Sequence, residues 1–251
     1  MTRARKRTFA VSTIAGALAI FAAFSAIRFP AAAAPASRAF PSWPAPARAT
    51  SGLAPDKGTF KILVNGQQVG KEEFEISSNG GDWVAHGTSE IQAADGVTRV
   101  SGTLGLRADG TPTHYEWSTE GPKKASAAVA FNGPVATIEL RLEGRHPFTQ
   151  QFTFSSPQVA ILDNNLYHQY AVLADLYDWD KKGVQTFSVL VPQELTPGTL
   201  TVESVGSRDI DGKKLEELVV KTEELEVDVY LDGKRLVRIA APSSNAEIIR
   251  E

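Results

Sequence analysis

The chain has 251 residues, contains no cysteine and carries a formal net charge of −3. Without cysteine it has no disulfide and no thiol nucleophile, and it lacks the residue to which bacterial lipoproteins attach their lipid. Residues 58–251 hold 18 of the 26 Lys and Arg but 28 of the 29 Asp and Glu, a net charge of −10. Because this acidic part repels phosphate backbones, we expect no nucleic-acid binding.

The first 34 residues have the pattern of an export signal. Basic residues at the start precede an uncharged run over residues 9–27, and small residues follow. This order predicts a cleaved signal peptide over residues 1–34. The run is also about long enough to span a bilayer, so an uncleaved N-terminal anchor is the alternative, and the only expected membrane contact. Either way, the basic start predicts that the rest of the chain is exported, to the periplasm or the extracytoplasmic face of the inner membrane.

The segment 35–57 is predicted to be a linker. It is rich in Ala, Pro and Ser and shows no apolar period. Such composition is typical of extended or disordered connections. The folded domain is therefore expected over residues 58–251.

Asn-Gly and Asp-Gly pairs divide this domain into short runs. Both residue types of each pair tolerate positive φ, so each pair suits the tight turn that joins two antiparallel strands. The runs between them alternate apolar and polar residues, most regularly over residues 135–143. They predict a mainly β fold of about a dozen strands with one buried face. The pairs are Asn65-Gly66, Asn79-Gly80, Asp95-Gly96, Asp109-Gly110, Asn132-Gly133, Asp211-Gly212 and Asp232-Gly233.

One segment has helical spacing, which predicts a single main helix at about 162–180. Asp163 is expected to cap its start, and Gly183 suits its C-terminus. The segment is too apolar for a surface helix, so we expect it to pack on the concave side of a strongly curved antiparallel sheet or half-barrel. Its apolar residues at intervals of three or four are Leu166, Tyr170, Leu173 and Tyr177.

The opening of the domain resembles a known architecture. The pattern Phe60-x-Ile62-x-x-Asn65-Gly66-x-x-Val69-Gly70-x-x-Glu73-Phe74 resembles the start of uncharacterised exported bacterial half-barrel domains. Those domains are similar to the lipoprotein-carrier fold, an open β half-barrel that wraps helices and holds acyl chains. The resemblance covers about residues 58–251 and implies the same architecture. It assigns no functional residue.

Sequence motifs of catalysis are missing. There is no Gly-x-Ser-x-Gly elbow and no phosphate-binding Gly-rich loop, and the four histidines lack paired metal-ligand spacing. We therefore expect no cofactor, no metal and no enzyme. A hydrolase that uses His168, Asp175 and Asp178 is a minor alternative. In the predicted helix, Asn164, His168 and Asp175 share one face, and the simpler interpretation is a capped helix with a solvated stripe.

The leading functional hypothesis is non-catalytic binding of an apolar or amphipathic ligand, such as a lipid, in a cavity under the helix. The alternative is a packed core whose open strand edge docks another envelope protein. A large empty apolar cavity would favour the first, a packed interior with a bare edge the second, and a cleft with converging carboxylates and a histidine the hydrolase. The predicted cavity residues are Trp83, Tyr115, Trp117, Phe152, Phe154, Tyr167, His168, Tyr170 and Tyr177.

Overall fold

The computed structural model describes residues 52–93, 95–223 and 225–251. The predicted signal peptide or anchor (1–34) and most of the predicted linker lie outside these residues. The first strand begins at Asp56, two residues before the predicted domain start. Within the described ranges, no helix is long and apolar enough to cross a membrane.

The described chain forms one sheet of fifteen strands rather than about a dozen. The strand that period-two patterning missed is β9, because three residues are too short to show a period. The strands are β1 (Asp56–Val64), β2 (Gln67–Asn79), β3 (Asp82–Ala93), β4 (Gly96–Leu106), β5 (Pro112–Glu120), β6 (Ala125–Asn132), β7 (Val135–Leu142), β8 (Phe148–Thr153), β9 (Val159–Ile161), β10 (Gln185–Val191), β11 (Thr196–Ile210), β12 (Lys213–Lys221), β13 (Glu226–Asp232), β14 (Arg235–Ala241) and β15 (Ala246–Arg250).

The order of the strands in the sheet follows the chain in two runs. It is β8-β7-β6-β5-β4-β3-β2-β1-β15-β14-β13-β12-β11-β10-β9. We call β1–β8 the first wing and β9–β15 the second wing. The wings join where β1 pairs with β15, and all pairs are antiparallel except β9 with β10. The sheet is open, with β8 and β9 at its two ends, so a mainly β fold with an unclosed sheet is confirmed.

The Asn-Gly and Asp-Gly pairs lie at hairpin connections, as predicted. In Asn65-Gly66 the φ angles are 51° and 74°, and in Asp211-Gly212 they are 52° and 76°. Both residues of these two pairs therefore adopt the left-handed conformation that a primed turn requires. In the other five pairs only the glycine has a positive φ, because the pair is displaced by one residue from the two-residue connection or the loop is longer.

The helix is much shorter than predicted. The observed helix, α1, spans Gln169–Leu176 instead of about 162–180. Asn165 interrupts the segment before it with a φ of 64°, and the extended Tyr177 ends it. Asp163 and Gly183 therefore lie outside the helix and cap neither end. Asn164 precedes the helix too, so it does not share a helical face with His168 and Asp175.

The core lies on one face of the sheet and surrounds α1. Residues 169–174 are all buried, as expected for a helix that is apolar on every side. Apolar side chains of both wings and of α1 form one continuous cluster. A short 3-10 turn after β10, Pro192–Glu194, lies against β6 of the first wing. On the side of the sheet where α1 lies, the second wing thus contacts the first wing.

Candidate functional site

The nine predicted cavity residues lie in several different surroundings. Trp83, Phe152 and Phe154 are only partly buried and pack against the edge of the core. Tyr167 and Tyr170 line a small apolar pocket, and Tyr177 lines a broad open cleft. The members that are buried are Tyr115, Trp117, Tyr167, His168, Tyr170 and Tyr177.

A buried carboxylate ties the segment before α1 to the first wing. Glu72 of β2 has no solvent exposure, and its Oε2 accepts hydrogen bonds from the backbone N–H of Tyr167 at 2.9 Å and of His168 at 3.2 Å. Its Oε1 lies 2.6 Å from His168 Nδ1. The imidazole stacks on Phe74, with 6.0 Å between ring centroids. Glu72 thus binds two N–H groups just before α1, whereas the first N–H groups of the helix itself bond to backbone carbonyls of residues 166–168.

Two glycines make room for this segment on the sheet. Gly87 of β3 and Gly102 of β4 are cross-strand partners. A Cβ on Gly87 would lie 2.8 Å from Glu72 Oε1 and still closer to the His168 ring, and a Cβ on Gly102 would lie 2.5 Å from Leu166 Cδ1. The glycine pair therefore forms a shallow trough in which His168 and Leu166 are seated.

Asp163 connects the two wings. Its Oδ2 accepts a hydrogen bond from the Tyr115 hydroxyl of β5 at 2.8 Å, and its Oδ1 accepts one from the backbone N–H of Gln193, just after β10, at 2.8 Å. The Gln169 side chain joins the group by donating to the Tyr115 oxygen at 3.3 Å. Burial raises the pKa of Asp163 to about 7, although the two hydrogen bonds oppose that rise. One carboxyl group is thus shared by the first and second wings.

Of the three residues of the hydrolase alternative, Asp175 and Asp178 both line the broad open cleft, and His168 does not line it. The His168 ring is fully buried. Asp175 accepts a hydrogen bond from the Ala54 N–H at 3.2 Å, whereas Asp178 accepts them from backbone N–H groups of its own turn. The three residues of the hydrolase alternative therefore have three separate sets of partners. Among the described residues, no three His, Asp or Glu side chains are grouped to hold a metal ion.

A small apolar pocket lies between the Leu162–Tyr170 segment and β10–β13. Its volume of about 30 Å³ holds about one water molecule, far less than an acyl chain requires. Asp163 and Asn164 form its polar end. The lining residues are Leu162, Asp163, Asn164, Tyr167, Tyr170, Val189, Val191, Leu200, Val220, Thr222, Leu225 and Val227. This apolar pocket is thus nearly filled, whereas the open cleft that Tyr177 lines has a volume of about 1580 Å³.

The two ends of the sheet differ in their protection. Strand β9 is three residues long and fully buried, and beside it the Gln185 side chain of β10 bonds to the backbone of Asp178 at 2.8 and 2.9 Å. Strand β8 is six residues long, with the sequence FTQQFT. It contains no charge, proline or glycine, and Phe148 is 51% exposed. β8 is therefore a bare, uncharged edge strand.

At every second residue of β8, the backbone N–H and C=O groups point away from β7. Phe154, just beyond the strand, donates its N–H to the carbonyl of Pro134 at 2.9 Å. Because hydrogen-bonding direction alternates along an antiparallel strand, Phe148, Gln150 and Phe152 also turn their N–H and C=O groups toward β7. The outward set is Thr149, Gln151 and Thr153. Their N–H and C=O groups face the side on which residues 52–93, 95–223 and 225–251 place no strand.

Sequence reasoning missed Glu72 and Gln169. A signal for Glu72 was present, since it shares the inward parity of Phe74 and Ile76, and an acidic residue on a buried face needs a partner. Nothing in the sequence pairs Gln169 with Tyr115, because the two residues are distant along the chain. The bare edge of β8 was visible as an uncharged run of high β propensity.

Comparison of the chain with protein-family models, with curated proteins and with solved structures found no match. The small apolar pocket, the polar contacts beside it and the edge of β8 are therefore the features that bear on function.

Proposed function

We propose that this protein is a non-catalytic interaction module of the cell envelope that binds an extended segment of another polypeptide along β8. The observation that carries the proposal is an uncharged edge strand that no described strand covers, together with an apolar pocket too small for an acyl chain. Natural sheets usually protect their edges with charges, prolines, bulges or very short strands, because unpaired backbone recruits other strands. β9 has such protection and β8 has none. A strand added to β8 would gain backbone hydrogen bonds and an apolar contact with Phe148.

We also propose that the sheet curves around α1 as a half-barrel. Strands β5 and β10 are ten spacings apart in the sheet order. In a flat sheet they would be separated by about 48 Å, at about 4.8 Å per spacing. Yet Asp163 accepts hydrogen bonds from Tyr115 of β5 and from Gln193 just after β10. A bend that brings both wings around α1 accounts for these contacts, and it leaves β8 on the rim.

The proposed location in the envelope rests on the N-terminal pattern. The basic opening and the uncharged run over residues 9–27 favour export, by a cleaved signal peptide or an uncleaved anchor. The partner would then be another envelope protein.

Cross-linking from the edge tests this function. The chain has no cysteine, so Thr149→Cys gives a single attachment point for a thiol-linked photo-crosslinker at the outward edge. Irradiation of cells that make the protein should give an adduct with a polypeptide. The same label at Lys214→Cys, on an exposed position of β12 in the second wing, is the matched control. No adduct from Thr149→Cys, or the same adducts from both positions, would count against edge binding.

A proline at the outward edge should abolish binding and preserve the fold. Gln151 turns its N–H away from β7, so Gln151→Pro removes a donor to the partner without removing a bond of the β7–β8 ladder. We expect loss of the cross-link in a Gln151→Pro background, with a thermal midpoint within a few degrees of the parent. Gln151→Ala keeps the N–H and should keep the cross-link. Equal cross-linking of the two variants would contradict backbone pairing at β8.

The apolar pocket supports a second candidate, the binding of a lipid or another amphiphile. Its walls are mainly apolar and two polar residues, Asp163 and Asn164, stand at one end, which is typical of a ligand site. Because the pocket now holds about one water molecule, a ligand would have to displace the second wing from α1. Native mass spectrometry of protein purified from its own cells tests this candidate. A bound amphiphile supports it, and a clean apo mass counts against it.

A further inference from the structure

We infer that the strand that pairs with β8 is β8 of a second copy, in an antiparallel register centred on Gln151. This inference rests on the proposed function of the β8 edge and specifies its partner. It follows from the direction of the backbone groups, the side chains they bring together and the absence of charge on the strand.

The outward backbone groups fit a two-fold axis at Gln151. Rotation about that axis places Gln151 opposite Gln151 of the second copy, and Thr149 opposite its Thr153. All of these residues turn their N–H and C=O groups outward, so the pairs exchange about six hydrogen bonds. An axis at Gln150 would put inward-facing backbone on the axis and leave about four bonds. The register centred on Gln151 is therefore the better one.

The side chains of the same register are complementary. On one face, Thr149 meets Thr153 of the second copy, a favourable cross-strand pair. On the other face, the half-exposed Phe148 meets Phe154 of the second copy, which gives an aromatic pair. No charged residue of β8 faces a like charge, although each domain carries a net charge of −10. Self-pairing thus covers the exposed ring without a local electrostatic cost.

The symmetry of this contact limits the assembly to two copies. An antiparallel pair of identical strands is isologous, so it uses up the β8 edge of both molecules. The far end of each sheet, at β9, is short and buried and does not extend the array. Two six-residue strands bury less than the roughly 800 Å² per partner of a standard interface. We therefore expect a weak dimer that depends on protein concentration.

Single-cysteine variants of the full chain, in one mild detergent, test the register. In Gln151→Cys the two sulfurs stand across the axis, with a Cα–Cα distance of about 5.5 Å, which a disulfide can span. In Thr149→Cys the equivalent positions are about 14 Å apart, which a disulfide cannot span. Copper-catalysed oxidation at about 10–100 μM protein should therefore link Gln151→Cys at least about tenfold more than Thr149→Cys. The double variant Thr149→Cys/Thr153→Cys should link efficiently, since its cysteines face each other in this register.

Sedimentation velocity of the cysteine-free chain over the same concentrations completes the experiment. A monomer–dimer shift that Gln151→Pro removes supports the inference. A monomer at every concentration, or equal linking of Gln151→Cys and Thr149→Cys, overturns it. The proposed function then stands only if the photo-crosslinker at Thr149→Cys captures a different polypeptide. If it captures none, both proposals fail.

Discussion

Asp163 has a buried carboxyl group that both wings hold by hydrogen bonds. Burial raises its pKa from 3.8 to about 7, whereas the bonds from Gln193 and Tyr115 act in the opposite direction. Burial also raises the pKa of Asp175 to about 7. Near pH 7 each of these two carboxyl groups is therefore partly protonated in the folded protein, whereas the same group is ionised in the unfolded chain.

Stability should accordingly fall as the pH rises from about 4 to about 7. In this window these two carboxyl groups bind more protons in the folded state than in the unfolded state, so their contribution to the free energy of unfolding decreases with pH. Asp163→Asn removes one of the two groups and should make the decrease smaller, by up to about 1.4 kcal/mol per pH unit. Urea unfolding at pH 5 and pH 8 measures the difference. Asp209→Asn, at an exposed position, is the control, and its free energy of unfolding should change with pH as that of the parent does. The same slope as the parent in Asp163→Asn would contradict the raised pKa.

At the scale of elements, the stability of α1 depends on its contacts with the sheet more than on its own helix propensity. An isolated eight-residue helix is unstable in water, and α1 has no side-chain cap at His168. Glu72 of β2 binds the backbone just before it, and the trough at Gly87 and Gly102 admits the side chains of that segment. The sheet therefore determines where the helix begins.

Filling the trough should destabilise the protein. A Cβ at Gly87 would overlap the His168 ring and lie 2.8 Å from Glu72 Oε1, and neither side chain has free space to move into. We expect Gly87→Ala to lower the free energy of unfolding by about 1–3 kcal/mol. Gly198→Ala in β11 is the matched control, because its Cβ would meet only Val189 at 3.6 Å, an ordinary contact. Denaturant unfolding compares the two, and equal losses would exclude a steric origin.

Turn positions could be predicted from the sequence because the required conformation is local. The φ angles at Asn65-Gly66 depend mainly on those two residues. The extent of α1 could not be predicted, because Asp163 and Gln169 bond to Tyr115, which is distant along the chain. The apolar residues over 162–180 indicate a segment that is buried on several sides. Burial alone does not distinguish a helix from an irregular buried segment.

At the scale of the whole molecule, the first and last strands meet in the middle of the sheet. β1 pairs with β15, and this pair joins the two wings. Arg250 of β15 holds Asp56 of β1 through two contacts at 2.7 and 2.8 Å, and its guanidinium lies over the Phe74 ring at 5.3 Å. The Arg250 and Asp56 side chains are only 9% and 15% exposed. The join between the wings thus contains a nearly buried ion pair.

Removing one member of this pair should weaken the whole domain. Arg250→Ala leaves the Asp56 carboxylate without its close bidentate partner in a nearly dry site, and we expect a loss of about 3–5 kcal/mol in the free energy of unfolding. Arg250→Lys should lie between the parent and the alanine variant, because an ammonium group cannot form the bidentate pair. Arg141→Ala breaks an exposed pair with Glu139 and should cost less than about 1 kcal/mol.

Denaturant unfolding of Arg250→Ala also tests whether the wings fold together. Asp163 and the continuous core link both wings to α1, so the variant should still unfold in one transition, at a lower denaturant concentration and with a similar slope. Two separate transitions would mean that β1–β15 pairing, rather than the shared core, couples the wings. A loss no larger than that of Arg141→Ala would mean that the ion pair adds little to the join. A single shifted transition would identify the fifteen strands and α1 as one cooperative unit.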